Sequence, residues 1–480
     1  MAMTASTIHD AKPRAASALV AFSLLVGACA LPPRPPSPDA TLTTFEQQVD
    51  ALRAELGIPG LSAAIVRDQQ VVWARGFGYA DHENRVPATP DTVYHVASVT
   101  KTFAATLAMQ LVEQGKLDLD EPASHYSSDF KDDAVRVKHL LSHTSEGPTP
   151  GERYAYSGER YDYLTAVVEK GTGKSFRAAT VDTILDPLGM SSSVPGHDVA
   201  DDAMVGKRYA AILATLSQPY TLYGDGEIVH VPYPPKGFSA AAGLLSTVMD
   251  LARYDAALDR HVLLKKETQD KAWTPFVSTG GQRLPYGLGW FVTDDHGVRL
   301  IWHGGNWGKG FSALYLKVPE KRLSLIMLAN SEALNDHKYA IGEEIVNDAF
   351  ACAFLRLVVF EGARSLDCER SSRTAVANWK EARRSQARPV VPIDPAILDA
   401  YVGRYRFEFD PTMILDVTRA GGKLYVDVPA NRQTEVFPAS PSTFFLKIRR
   451  ADITFVHERG KATHLQWAEH GESLRANRIE

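Results

Sequence analysis

Two pairs of strongly apolar runs, each interrupted by four residues, constrain this 480-residue chain more than any other feature. Phe311 to Val318 and Leu323 to Leu328 flank Pro319-Glu320-Lys321-Arg322, and Leu61 to Val66 and Val71 to Ala74 flank the polar Arg67-Asp68-Gln69-Gln70. Each pair reads as a β-hairpin, and the later one marks where a core sheet should lie. Ahead of the earlier hairpin, Phe45, Val49, Leu52 and Leu56 recur at helical spacing until Gly57 and Pro59 end the run. A helix followed by a hairpin opens a mixed α/β domain.

The chain begins differently. Lys12 and Arg14 precede an apolar stretch, Ala15 to Val26, too short to span a bilayer with ease, which reads as a signal peptide. Its end, Val26-Gly27-Ala28-Cys29, resembles a bacterial lipobox, so Cys29 is the expected lipidation site and residues 1–28 the expected leader. Residues 29–42 follow as a tether, because the prolines between Leu31 and Pro38 favour extended polyproline over helix. The expected product is exported and anchored on the periplasmic side of the cell envelope. Cys352 and Cys368 then remain, and both a disulfide and two separate thiols stay open. A net charge of -5 without long single-sign runs gives no reason to expect a nucleic-acid partner.

Residues 43–368 are the expected catalytic domain and 369–394 a basic linker containing Arg383, Arg384 and Arg388. Residues 395–480 carry strand-like runs, Met413 to Val417, Lys423 to Val428, Thr443 to Ile448 and Ile453 to His457, with turns at Gly421-Gly422 and Arg459-Gly460. This predicts a small all-β domain, a meander or a barrel.

Serine is a weak nucleophile at neutral pH, so acyl transfer needs a base beside it and donors for the developing oxyanion. Ser98 and Lys101 meet the first requirement, because residues three apart share a helix face and Phe103, Leu107 and Leu111 continue a helix that Gly115 stops. The spacing alone is not specific. Ser128-Asp129-Phe130-Lys131 repeats it in a polar loop and is set aside as a decoy. His139 and His143 stand four apart, but no third ligand is obvious, so no metal and no cofactor is expected.

Other motifs accompany Ser98 in order: His139-Leu140-Leu141-Ser142-His143-Thr144-Ser145, Tyr156-Ser157-Gly158, Gly243-Leu244-Leu245-Ser246-Thr247, Tyr286-Gly287-Leu288-Gly289-Trp290, His303-Gly304-Gly305 and Met327-Leu328-Ala329-Asn330. In this set the chain resembles the serine β-lactamase-related enzymes: class C β-lactamases, family VIII esterases and D-aminopeptidase-like hydrolases. The resemblance implies a β-lactamase/transpeptidase-like α/β (α+β) fold, an antiparallel sheet flanked by helices with an all-helical region. Tyr401-Val402-Gly403-Arg404-Tyr405 is similar to the start of the lipocalin-like barrels appended to some relatives.

By the same resemblance Ser98 is the nucleophile, Lys101 its activator and Tyr156 the proton shuttle. The backbone N–H groups of Ser98 and Asn306 form the oxyanion hole, and His303, Gly304 and Gly305 contact substrate. The implied activity is hydrolysis of a small ester, amide or peptide through an acyl-enzyme; a binding protein that keeps the fold without turnover is the alternative. Two departures bear on substrate. Gly158 stands where the family has an asparagine that contacts substrate amides, and Glu146-Gly147-Pro148-Thr149 is shorter than the usual cleft wall. A neutral histidine at 303 also attracts a substrate carboxylate less than lysine does. Gly158 and His303 favour esters, and the short segment predicts a more open site that favours hydrolysis over transfer. The physiological substrate and the oligomeric state are not readable.

Overall fold

The computed structural model describes residues 38–127, 130–224, 226–233, 237–337, 344–362, 366–427, 433–448, 450–458, 460–469 and 471–479. The expected leader, Cys29, most of the tether and Ser128 lie outside these residues. Helix α1 (Pro38–Glu55) buries Phe45 and Val49, the face expected from the sequence. The hairpin of β1 (Gly60–Arg67) and β2 (Gln70–Asp81) turns through Asp68 and Gln69, both with positive φ, which matches the twist of the flanking strands.

A seven-stranded antiparallel sheet forms the frame, with β3 (Val86–Pro87), β4 (Phe291–Asp295), β5 (Val298–Asn306), β6 (Ser312–Val318) and β7 (Leu323–Ala329) in the order β3-β2-β1-β7-β6-β5-β4. The earlier hairpin therefore pairs with the later one, Leu61 opposite Ala329 and Arg67 opposite Leu323. Both faces are covered, and side chains alternate between two cores. Leu325 and Met327 of β7 pack with α1, while Ile326 and Leu328 pack with the helical region. That region includes α2 (Thr100–Glu113) and α3 (Val248–Asp259), joined by the stacked rings of Phe103 and Tyr254.

The C-terminal segment closes into an eight-stranded antiparallel barrel from Gly403–Phe407 to Glu472–Arg478 around Tyr405, Leu415, Val426, Ile453 and Leu465. Closure leaves no unpaired sheet edge. The basic stretch ahead of it contains helix α4 (Cys368–Arg384), whose Val376 and Trp379 pack into the same core as α1. Cys352 and Cys368 form a disulfide that ties the start of α4 to the helix Ala349–Phe354. Lys447 on the barrel pairs with Glu227 at 2.6 Å, and Phe445 stacks on Tyr223, so the barrel docks against the hairpin of Tyr220–Tyr223 and Glu227–His230.

Candidate active site

The short strand Tyr94–His95 pairs with Leu244–Ser246 and aims the chain at the cleft. Ala97 then adopts a left-handed backbone, φ +49°, at a cost of about 1–2 kcal/mol for a residue with a Cβ. Local bonds hold it there: its N–H donates to His95 Nδ1 at 3.0 Å, and its carbonyl accepts from Thr100 Oγ1 at 2.7 Å. Ser98 follows on the 3₁₀ turn Ala97–Val99 that leads into α2 and keeps partial exposure among buried neighbours.

Lys101 is 1 % exposed, and its Nζ donates to Ser98 Oγ at 3.0 Å and to the carbonyl of Ala241 at 2.8 Å. The same ammonium lies over two rings, 5.1 Å from the centre of Tyr156 and 5.4 Å from that of Tyr161. Burial disfavours the charge more than nearby Asp162 restores it, and the lysine is pushed down to about 7. A lysine at that value is half neutral at neutral pH and can take a proton from the hydroxyl it touches.

Tyr156 is held from both sides by one residue. Ala155 N–H donates to the carbonyl of His143 at 2.8 Å, and Ser157 N–H to its Nδ1 at 3.2 Å, while the imidazole lies 4.2 Å from the Tyr156 ring. Ser157 Oγ then caps the helix Gly158–Asp162 by accepting from Arg160 N–H. His143 is buried among Tyr156, Tyr161 and Tyr286, and burial, with Lys101 and His303 nearby, keeps it well below its usual range. His139 plays a different part. Its Nδ1 accepts from Arg136 N–H at the start of the helix Val137–Leu141, and among the described residues no cluster has a metal-ligand set.

On the opposite side, β5 ends in His303-Gly304-Gly305-Asn306. A Cβ on Gly305 would meet the carbonyl oxygen of Val96 at 2.3 Å, so the strand presses directly on the turn that carries Ser98. Gly304 and Asn306 remain partly exposed at its edge. The His303 ring lies 6.3 Å from that of Tyr156. It is fully buried, with Nε2 bonded to Tyr286 Oη at 2.9 Å and Nδ1 at 2.7 Å from the Gly304 carbonyl, so its ring braces the strand from within.

Three participants escaped the sequence reading as site residues: His143, Tyr161, whose Oη donates to the Lys101 carbonyl at 3.0 Å, and Tyr286. The accompanying motifs were the signal for His143 and Tyr286, whereas Tyr161 lies outside them. Gly289 explains one of them, since a Cβ there would meet that of Ala105 on α2 at 2.2 Å. At Gly158 a Cβ would meet nothing within 4 Å, so the place of the family asparagine is open space.

A family model described as Beta-lactamase matches residues 45–345, and one described as a domain of unknown function (DUF3471) matches residues 387–478. The chain is 23% identical over 421 residues to Penicillin-binding protein 4* of Bacillus subtilis (strain 168), covering 80% of this chain and 87% of that one. It is 26% identical over 311 residues to Protein flp of Staphylococcus aureus (strain MW2), covering 57% of this chain and 60% of that one. Among solved structures, the octameric penicillin-binding protein homologue from Pyrococcus abyssi is similar with a TM-score of 0.57 and 23% identity, over 91% of this chain and 100% of that one.

Proposed function

This chain belongs to the β-lactamase family, and from that premise we propose that it is a serine hydrolase that cleaves esters through an acyl-enzyme on Ser98. The observation that carries the reading is a buried lysine, pushed down to about 7, within 3.0 Å of a serine hydroxyl at a helix start. Neutral Lys101 accepts the Ser98 proton as Oγ attacks the carbonyl carbon. The tetrahedral oxyanion is held by the N–H groups of Ser98 and Asn306. Tyr156, over which the resulting ammonium lies, gives its phenol proton to the departing alkoxide and regains one from that ammonium, which leaves Lys101 neutral again. Water then attacks the acyl-enzyme by the same route, releasing the acid and restoring Ser98.

The open space at Gly158 supports the preference for esters, because an amide substrate finds no side-chain partner there and its polar group is left unpaired. β-Lactams and D-amino-acid peptides belong to the same proposal as slower substrates; two of the similar proteins are named for penicillin binding. Comparing kcat/KM for p-nitrophenyl butyrate, nitrocefin and D-alanine p-nitroanilide tests this. The ester should lead by at least about tenfold, the scale of one lost polar contact; a leading lactam or anilide would overturn the preference. One equivalent of product with no steady turnover on all three would favour the binding-protein reading.

The proposal includes export and a lipid anchor at Cys29. Metabolic labelling with a palmitate analogue should mark the protein and fail on Cys29→Ser; equal labelling of both would remove the anchor from the account.

A further inference from the structure

Beside Asn306, a chain of buried polar side chains runs from the cleft to helix α4. Asn306 Nδ2 donates to Asp336 Oδ1 at 2.5 Å. Asn335, next along, fixes the same strand by donating from Nδ2 to the carbonyls of Gly305 at 2.7 Å and Ala313 at 2.8 Å. Asp336 feels the charge of Glu332, which, added to burial, pushes its carboxyl up to about 6. Glu332 is fully buried and gathers three donors on one oxygen: Thr221 Oγ1 at 2.6 Å, Lys309 Nζ at 3.3 Å and Arg383 Nη2.

A carboxylate with no exposure is retained only when cations and hydrogen bonds replace its water. Glu332 is such an acid, and the half-buried Asp336 lies one helical turn beyond it. The side chain of Lys309 is 44% exposed, whereas that of Arg383 is only 10% exposed and lies against Trp379, so Arg383 is the buried cation that compensates Glu332. It comes from the last turn of α4, beyond the family match that ends at residue 345 and before the barrel match that begins at 387. Neither matched segment contains it.

We infer that Arg383 is a positioning residue for the oxyanion hole: by compensating Glu332 it lets Asp336 hold Asn306, and with it the N–H that faces the reacting carbonyl oxygen. The connecting helix is thereby part of the catalytic apparatus. Without Arg383, buried Glu332 and half-buried Asp336 share one partly exposed lysine, and the hold on Asn306 loosens. Substrate binding away from the oxyanion is untouched.

The inference rests on the acyl-enzyme reading, and the test separates the two. Arg383→Met and the wild-type chain are compared for p-nitrophenyl butyrate hydrolysis and for inhibition by phenylboronic acid, whose tetrahedral serine adduct places an oxygen in the oxyanion hole. In Arg383→Met, kcat should fall at least about tenfold, a fraction of the loss from deleting one oxyanion donor. Boronate affinity should fall by a similar factor and KM stay within about twofold, because the lost interaction is made only in the transition state. Should that variant not fold, the same constants are read on Arg383→Lys, whose shorter side chain withdraws the charge from Glu332; a fall of at least about threefold in kcat and boronate affinity is then expected. A folded variant with wild-type kcat and boronate affinity, or with a change confined to KM or Tm, would overturn the inference. A wild-type chain that turns over no ester would instead overturn the functional reading.

Discussion

Gly305→Ala is the substitution whose consequence follows most directly from the geometry. A Cβ there would sit 2.3 Å from the carbonyl oxygen of Val96, where contacts under 3.0 Å essentially never occur. The obstruction is backbone, and that backbone leads through Ala97 to Ser98. Relief requires β5 and the Ser98 turn to separate by about 0.7 Å or more (3.0 Å less 2.3 Å). Misplacement on that scale costs up to about a hundredfold in rate, and complete loss of one oxyanion donor costs about 10²–10³, or 2.7–4 kcal/mol. The assay is steady-state p-nitrophenyl ester hydrolysis alongside a thermal melt. The expected result is a kcat loss of about a hundredfold in a protein that still folds. Gly158→Ala, which adds a Cβ into open space, serves as the control and should keep wild-type activity. Near-wild-type kcat in Gly305→Ala would refute the claim that β5 and the nucleophile turn form one rigid unit.

Other consequences are more quickly stated. With Lys101 pushed down to about 7 from 10.5, kcat/KM should rise with pH through about 7 and level off above it. Stability should rise over the window above that, from about 7 to 10.5, because the unfolded lysine holds a proton that the folded one has lost; both trends should vanish in Lys101→Met. Gly158→Asn fills the open space and should raise D-alanine anilide turnover relative to ester turnover, read as a ratio of kcat/KM values. The Cys352–Cys368 disulfide closes a loop with a sequence separation of 16, so replacing both cysteines by serine should cost about 3 kcal/mol in a urea titration.

The sequence was legible where structure is set by neighbours along the chain. The two hairpins, the helix after Ser98 and the barrel strands Lys423–Asp427 and Ala451–Glu458 each announce themselves through local alternation or helical spacing. The Ser98 and Lys101 pair sits on that helix, but its spacing recurs at Ser128, and only the ordered motifs single it out. What Lys101 becomes is not, because its lowered proton affinity comes from burial that only the folded chain imposes. His143 shows the same limit: it was set aside as a metal ligand, but that it clamps Tyr156 through the backbone on either side is visible only in the fold. His303 was read by position along the motif, and its bond to the buried Tyr286 hydroxyl is visible only in the folded chain. Arg383 lay in a stretch read as linker, since nothing local reveals that a buried glutamate 51 residues earlier needs its charge.

The central claim is that Ser98 is the atom-bearing partner in acyl transfer, and one measurement reaches it without knowledge of the natural substrate. The full chain is incubated with a fluorophosphonate, digested, and the modified peptide located by mass spectrometry. The phosphonyl group should be found on Ser98, and Ser98→Ala should neither label nor hydrolyse p-nitrophenyl butyrate. Labelling at another residue, or ester turnover that persists in Ser98→Ala, would contradict the account.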